Sequence, residues 1–291
     1  MSKKEKEEPL LTLKNDYLFK RLLGVEENKH ILKDFLSATL GFQPETLEGF
    51  ELLDKELKKD AIEDKMGVLD IHIRLKNETH IDLEMQQLWT PDFIARSIFY
   101  VAKMYIEDFV AGTPYSELYN CVGVNIVAQG FNLNNDIHSE FTLQDVKTGK
   151  SLGDYIRFHF FNLERLKDFP VSFEDTEENR RNNWLRFLNA DNKEERDMLA
   201  QSSPVLKILN EKINVVDLNK EERRLYDSRM KLKSDIATIY EGRFNEGVKQ
   251  GIEKGAYQTK LETAKKLLRM KMPIKDIAEV TGLKEDEVKG L

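Results

Sequence analysis

Residues 67–87 carry the strictest pattern in the chain: GVLDIHIRLKNETHIDLEMQQ. Apolar and polar residues alternate on both sides of a polar turn at residues 76–79. A period of two on either side of a turn predicts a β-hairpin. One face is Leu69, Ile71, Ile73 and Leu75 with Ile81, Leu83 and Met85; the other is Asp70, His72 and Arg74 with His80, Asp82, Glu84 and Gln86. Opposed residues of an antiparallel pair share a face, so the apolar rows meet only when odd positions pair with odd. A slip by one residue would set Asp70 against Met85 and break both faces. In either register that keeps the faces, Asp70 lies opposite Glu84 or Gln86. Three polar groups then converge on one face of a hairpin whose other face is buried.

The rest of the chain sets this hairpin among helices. Leu18, Phe19, Leu22 and Leu23 are spaced as one helix face, with Asn15 or Asp16 as N-cap and Gly24 as stop. Ile31, Leu32, Phe35, Leu36 and Leu40 mark a second helix that ends at Gly41. Residues 47–53 predict a short strand. A long helix is expected over residues 91–110, on the spacing of Ile94, Ile98, Val101, Ala102, Tyr105 and Phe109. Residues 120–128 predict a buried strand, and residues 141–146 and 156–163 two more around a turn at Thr148 and Gly149. Helix, strand, hairpin, helix, strand is the order of a mixed α/β core. Strand signals stop near Pro170, and residues 172–240 are polar and helical, with Trp184, Leu185, Phe187 and Leu188 as an anchor. The expected organisation is a charged tail at 1–9, a core at 10–170, a helical extension at 171–241 and a glycine-spaced tail at 242–291.

In that tail Gly242, Gly247, Gly251 and Gly255 recur among charged residues. Each glycine costs an isolated helix about 1 kcal/mol, so a linker or a helix packed on a partner is expected there. Met270 to Pro273 breaks the helix that follows, and Gly282 makes a turn into the last residues. This end resembles a helix-turn-helix. Its would-be recognition helix carries Glu285, Asp286 and Glu287, which phosphates would repel. Packing or homo-oligomerisation through the C-terminal helices is the favoured reading.

Several classes are excluded or weakened. No stretch approaches the roughly 20 apolar residues of a membrane helix. The N-terminus is charged, with no apolar run behind it like a signal peptide's. The single cysteine, Cys121, excludes an intramolecular disulfide and a cysteine zinc cluster, and its apolar neighbours mark it as a small buried hydrophobe. A cytoplasmic protein is expected. The net charge of −7 argues mildly against nucleic acid, but residues 207–291 hold 19 Lys and Arg against 15 Asp and Glu. The acidic excess therefore lies in the first part, where carboxylates can gather metal ions.

Phosphodiester hydrolysis needs a hard divalent cation to polarise the phosphate and activate water. Mg²⁺ takes oxygen ligands and commonly only one or two protein carboxylates. Asp70 and Glu84, facing each other across a hairpin, supply such a pair, and Gln86 on the same face can orient the water or donate to a phosphate oxygen. A solvated edge hairpin would show the same alternation. His72 and His80 share the face; histidine metal sites need further ligands in set geometry, so both are expected to line a groove or the surface. Lys20 and Arg21 are expected on a solvated helix face, and Phe158, Phe160 and Phe161 in the core.

The run Gly67-Val68-Leu69-Asp70, a hairpin, then Asp82-Leu83-Glu84-Met85-Gln86 resembles the Asp…Glu-X-Gln core of the PD-(D/E)XK nucleases. More closely, the chain is similar to the PD-(D/E)XK nuclease family transposases, or recombination-promoting nucleases. The opening NDYLFKRLLG at residues 15–24, the glycine-spaced run and the ending IAEVTGL at residues 277–283 carry that likeness. The resemblance implies a restriction-endonuclease-like α/β core with a C-terminal helical extension. It implies a DNA endonuclease that uses Mg²⁺ or another divalent cation such as Mn²⁺, linked to recombination or mobile-element movement. Asp70, Glu84 and the main-chain carbonyl of Met85 would be metal ligands, and Asp70, Glu84 and Gln86 the catalytic set. Asp16 is a further candidate. Gln86 stands where most of the superfamily has lysine, which removes a fixed positive charge. A DNA-binding accessory protein that no longer cleaves, and an oligomer assembled through the tail, are the alternatives.

Overall fold

The computed structural model describes residues 11–53, 69–107, 112, 114–216 and 218–291. The charged tail at 1–9, Gly67 and Val68 of the hairpin motif, and the expected end of the long helix at 108–110 lie outside the described residues. The chain divides into two compact units, residues 1–231 and 232–291.

The first unit is built on one six-stranded sheet of order β1-β2-β3-β4-β6-β5. The strands are β1 (Glu51–Leu52), β2 (Ile71–Arg74), β3 (His80–Leu88), β4 (Cys121–Gln129), β5 (His138–Thr142) and β6 (Ile156–Asn162). The hairpin takes one of the two registers that keep both faces: Ile71 opposes Leu83 and His72 opposes Asp82. Continued by one residue, that register sets Asp70 opposite Glu84. Strands β3 and β4 are parallel, as are β4 and β6. Parallel neighbours need a crossover, and α3 (Phe93–Ile106) provides it between β3 and β4.

From Ile71 onward the odd-numbered hairpin face forms the main core; Leu69, expected on the same face, packs instead with Val101, Met104 and Cys121. Ile71, Ile73, Ile81, Leu83 and Met85 pack with Val124 and Ile126 of β4. Helices α1 (Asp16–Leu23) and α2 (Lys29–Leu40) cover them. Asn15 caps α1 by accepting from the Tyr17 N–H at 3.0 Å. Gly41 ends α2 with a left-handed φ of 69°, where an L side chain would be strained. Helices α4 (Glu177–Asn189), α5 (Lys193–Leu199) and α6 (Pro204–Val215) add Trp184, Leu185, Phe187, Leu188, Leu199, Leu206 and Leu209 to the same core. Trp184 packs edge-on against Phe35, ring centroids 5.4 Å apart. The helices beyond Pro170 are thus continuous in packing with the sheet.

The other sheet face is covered by α3, and here the structure departs from expectation. The residues of α3 that are buried are Phe93, Ser97, Val101 and Met104. Ile98, counted on the inward stripe from its spacing, is half exposed. The inward face is set by what it meets: Val101 and Met104 pack with Leu69 and Cys121, and Phe93 packs with Val127 and Phe160. Contact is close: a Cβ on Gly123 of β4 would come within 2.9 Å of Val101. Cys121 is buried, as expected, and burial pushes its thiol up to about 12.

The glycine-spaced segment is neither a linker nor a break. It lies inside one helix, α7 (Lys220–Arg269). In the second unit Ala264 of α7 packs with Ile277 of α8 (Ile274–Thr281), Leu283 and Val288 of α9 (Glu285–Lys289). Gly282 turns the chain between α8 and α9 with φ 68°. No described helix is long and apolar enough to cross a membrane.

Candidate active site

The hairpin, α1 and α3 bring one polar cluster together. Asp70 immediately precedes β2, and Glu84 lies on β3. Their link runs through the backbone: Asp70 Oδ2 accepts from the Met85 N–H at 3.1 Å, and the Asp70 N–H donates to Glu84 Oε1 at 3.3 Å. Both residues are buried. In a strand a residue's N–H and carbonyl point to the same side, so the Met85 carbonyl also faces the Asp70 side of β3. Asp82 is next to these groups and only 1% exposed. Its Oδ1 has no hydrogen-bond partner among the described residues.

The electrostatics follow from this crowding. Burial first, then the charges of Asp70 and Asp82, hold the Glu84 carboxyl well above the usual range. Burial and then Asp70 do the same to Asp82. Two cations oppose these effects, Lys20 and Arg96. Lys20 reaches from α1 to within 2.6 Å of Asp70 Oδ1. Arg96 Nη2, on α3, donates to Gln86 Oε1 at 2.7 Å. Gln86 Nε2 donates to the Leu88 carbonyl at 2.6 Å. Tyr100, one turn beyond Arg96, has its phenol raised by burial first and by Glu84 next.

Several expected placements need correction. Lys20 is not on a solvated face; it is ion-paired with Asp70, and Arg21 is paired with Glu222. His72 and His80 line no surface. They are buried, with His72 Nε2 3.1 Å from His80 Nδ1 and His80 stacked on Tyr119. Asp16 lies on α1, where its Oδ2 accepts from Arg229 Nη1 at 2.8 Å. Phe160 and Phe161 are buried, as expected. Asp82, Arg96 and Tyr100 join the cluster beside the expected residues. Asp82 was visible as a member of the polar face, and Arg96 and Tyr100 stand four residues apart on the helix that follows it.

The whole of residues 13–242 matches the family model described as PD-(D/E)XK nuclease family transposase. The chain belongs to this family. Comparison with curated proteins and with solved structures gives no match. The mixed α/β fold with its C-terminal helices is that of a PD-(D/E)XK nuclease family transposase, and the family ties the chain to nuclease chemistry and transposition. Nucleases of this kind generally use divalent cations. Among the described residues no three His, Cys, Asp or Glu side chains gather as a metal cage. Mg²⁺ does not require one, since one or two carboxylates with water complete its shell. The Asp70 and Glu84 carboxylates, with a lysine ammonium already drawn to Asp70, have the chemistry of a cation site.

Proposed function

We propose that this transposase-family protein is an endonuclease that hydrolyses DNA phosphodiester bonds with Mg²⁺ or Mn²⁺, in recombination or mobile-element movement. The observation that carries the reading is the buried Asp70–Glu84 pair, tied together through the Met85 N–H and the Asp70 N–H. Asp70, Glu84 and the Met85 carbonyl would hold the cation. When bound, the cation would polarise the phosphate and lower the pKa of an attacking water. Burial and mutual repulsion keep Glu84 ready to exchange its proton for a cation. Lys20 neutralises Asp70 on the side away from Met85. Gln86, its amide fixed by Leu88 and Arg96, orients the water or the phosphate.

A second reading has support from the same geometry. Lys20 sits on Asp70, and the Gln86 amide is already engaged at both ends. Those contacts suit an accessory protein that binds DNA and no longer cleaves it. The tail also offers a self-association face: Phe244, Val248 and Ile252, one turn apart on α7, are exposed.

Cleavage of supercoiled plasmid in Mg²⁺ decides between the first two readings. Wild type should nick or linearise it, and Asp70→Ala and Glu84→Ala should not. A folded wild-type protein that binds DNA but cleaves with no divalent metal would leave the accessory reading standing. Light scattering of the full chain against a version lacking residues 242–291 tests the oligomer.

A further inference from the structure

The candidate site contains Asp70, Asp82 and Glu84 against Lys20 and Arg96. A DNA phosphate brings another negative charge, and hydrolysis concentrates more of it on the phosphoryl oxygens. Some cation must meet that charge, and the two present are not equivalent. Lys20 is committed to Asp70 at 2.6 Å. Arg96 donates one N–H to a neutral amide oxygen, that of Gln86, at 2.7 Å. Among the described residues it forms no ion pair with a carboxylate. Its guanidinium carbon lies 5.0 Å from the ring centre of Phe93, so the aromatic ring supports its position without neutralising it.

Gln86 fixes the orientation of this arginine. Its Nε2 is tied to the Leu88 carbonyl at 2.6 Å, which turns Oε1 toward α3 and Arg96. A lysine at position 86 would instead repel the guanidinium. Glutamine on the strand and arginine on the helix therefore form a matched pair. The planar guanidinium fork, with most of its donors uncommitted, suits the oxygens of a phosphate.

We propose that Arg96 is the phosphate-binding residue of this site, gripping the DNA phosphate beside Asp70 and Glu84, and that Gln86 is its positioning residue. The inference rests on the nuclease reading above and names the group that binds substrate within it.

The test uses the full chain with three readouts: anisotropy of a labelled duplex oligonucleotide in Ca²⁺, Mn²⁺ binding by calorimetry, and plasmid cleavage in Mg²⁺. Arg96→Gln should weaken duplex binding about tenfold and reduce the salt slope by about one. It should lower cleavage about 100-fold. Mn²⁺ binding should hold or tighten, because a repelling charge is gone. The double variant Gln86→Lys/Arg96→Gln moves the cation onto the strand and should regain about tenfold of the lost cleavage. A merely structural arginine would show no such rescue. Arg96→Gln that binds duplex as tightly as wild type would overturn the proposal. So would loss of Mn²⁺ binding together with a lowered melting temperature, which would make Arg96 a structural support. Wild type that binds duplex without cleaving it sinks the nuclease reading alone, and the anisotropy comparison still decides the role of Arg96. Wild type with no duplex affinity overturns both.

Discussion

Substitution of Asp70 separates its structural task from its chemical one. Its Oδ2 accepts from the buried Met85 N–H at 3.1 Å, and its Oδ1 holds Lys20 at 2.6 Å. Asp70→Ala leaves that N–H without its acceptor inside the sheet, a loss of about 1–3 kcal/mol. Lys20 loses its partner as well. Its side chain is 23% exposed, so water takes over part of the interaction, and this adds less than about 1 kcal/mol. Against both losses, the repulsion that Asp70 exerts on Asp82 and Glu84 disappears. The net expectation is destabilisation by about 1–3 kcal/mol, which lowers the melting temperature by about 2–4 °C per kcal/mol in a unit of this size. Asp70→Asn keeps an oxygen for the Met85 N–H and removes only the charge, so its cost should stay below about 1 kcal/mol. Both variants should lose cleavage and Mn²⁺ binding. Thermal denaturation without metal, then calorimetric titration with Mn²⁺, reads both effects on one preparation. If Asp70→Asn melts as low as Asp70→Ala, the Met85 contact does not hold the strand. If either variant still binds Mn²⁺ like wild type, Asp70 is not a ligand.

The raised Glu84 and Asp82 carboxyls give a pH dependence of defined sign. A carboxyl raised in the fold holds a proton that the unfolded chain has released, so its contribution is fully present below the unfolded values near 4.5 and 3.8 and is lost as pH rises through the folded ones. Metal-free protein should therefore melt lower as pH rises toward neutrality. The gain in melting temperature from Mn²⁺ should grow as pH rises through the raised carboxyls, because the ion displaces that proton; a gain that shrinks with rising pH would contradict the assignment of Glu84. Trp184→Ala removes a buried ring from Phe35 and the donor to Asp34 at 2.7 Å, and should cost about 3–5 kcal/mol. An unchanged melting temperature would mean that α4 is not part of the core. Alanine at Gly247, Gly251 and Gly255 meets nothing within 4 Å, so circular dichroism should show a more stable helix by about 0.5–1 kcal/mol per site. A loss of stability would mean that another surface presses on those glycines.

The hairpin was legible because its period of two and its strict alternation allow only registers that keep Asp70 facing Glu84 or Gln86. Local caps were legible too: Asn15 and Gly41 stand where the helix boundaries fall. What covers the polar face was not legible. A solvated face and one buried under a helix share the same alternation, so His72, His80 and Asp82 gave no local sign of being buried. The stripe on α3 was legible only in part. Its apolar spacing points to Ile94, Ile98 and Val101; Val101 is buried, but Phe93, Ser97 and Met104 turn inward with it and Ile98 is half exposed, because the helix packs on Leu69 and Cys121 at one end and on Val127 and Phe160 at the other. Lys20 looked like an ordinary surface cation because its partner is 50 positions away in the sequence. The glycine-spaced segment was legible as unusual, but propensity alone could not fix its state. Each glycine is a weak penalty, and the flanking Lys, Glu, Gln and Ala are good helix formers.

Burying Asp70, Asp82 and Glu84 on one face would be costly in an isolated hairpin, since charges out of water need partners. The fold supplies opposing charge from two separate helices: Lys20 of α1 pairs with Asp70, and Arg96 of α3 acts on Asp82 and Glu84 through its field without an ion pair. The position of α1 is in turn fixed by the start of α7. Tyr226 accepts at its hydroxyl from the Thr12 N–H at 3.0 Å, its carbonyl accepts from Asn15 Nδ2 at 3.2 Å, and Arg229 donates to Asp16. Glu222 accepts from Tyr17 and Arg21 on the same helix. Asp16 and Lys20 are one turn apart, so α1 offers its anion to α7 and its cation to Asp70. The first turns of the long helix therefore help to set where Lys20 stands against the carboxylates. The polar cluster is local in sequence only at the hairpin; its neutralising charges come from residues before and after it, and they depend on the whole of the first compact unit being assembled.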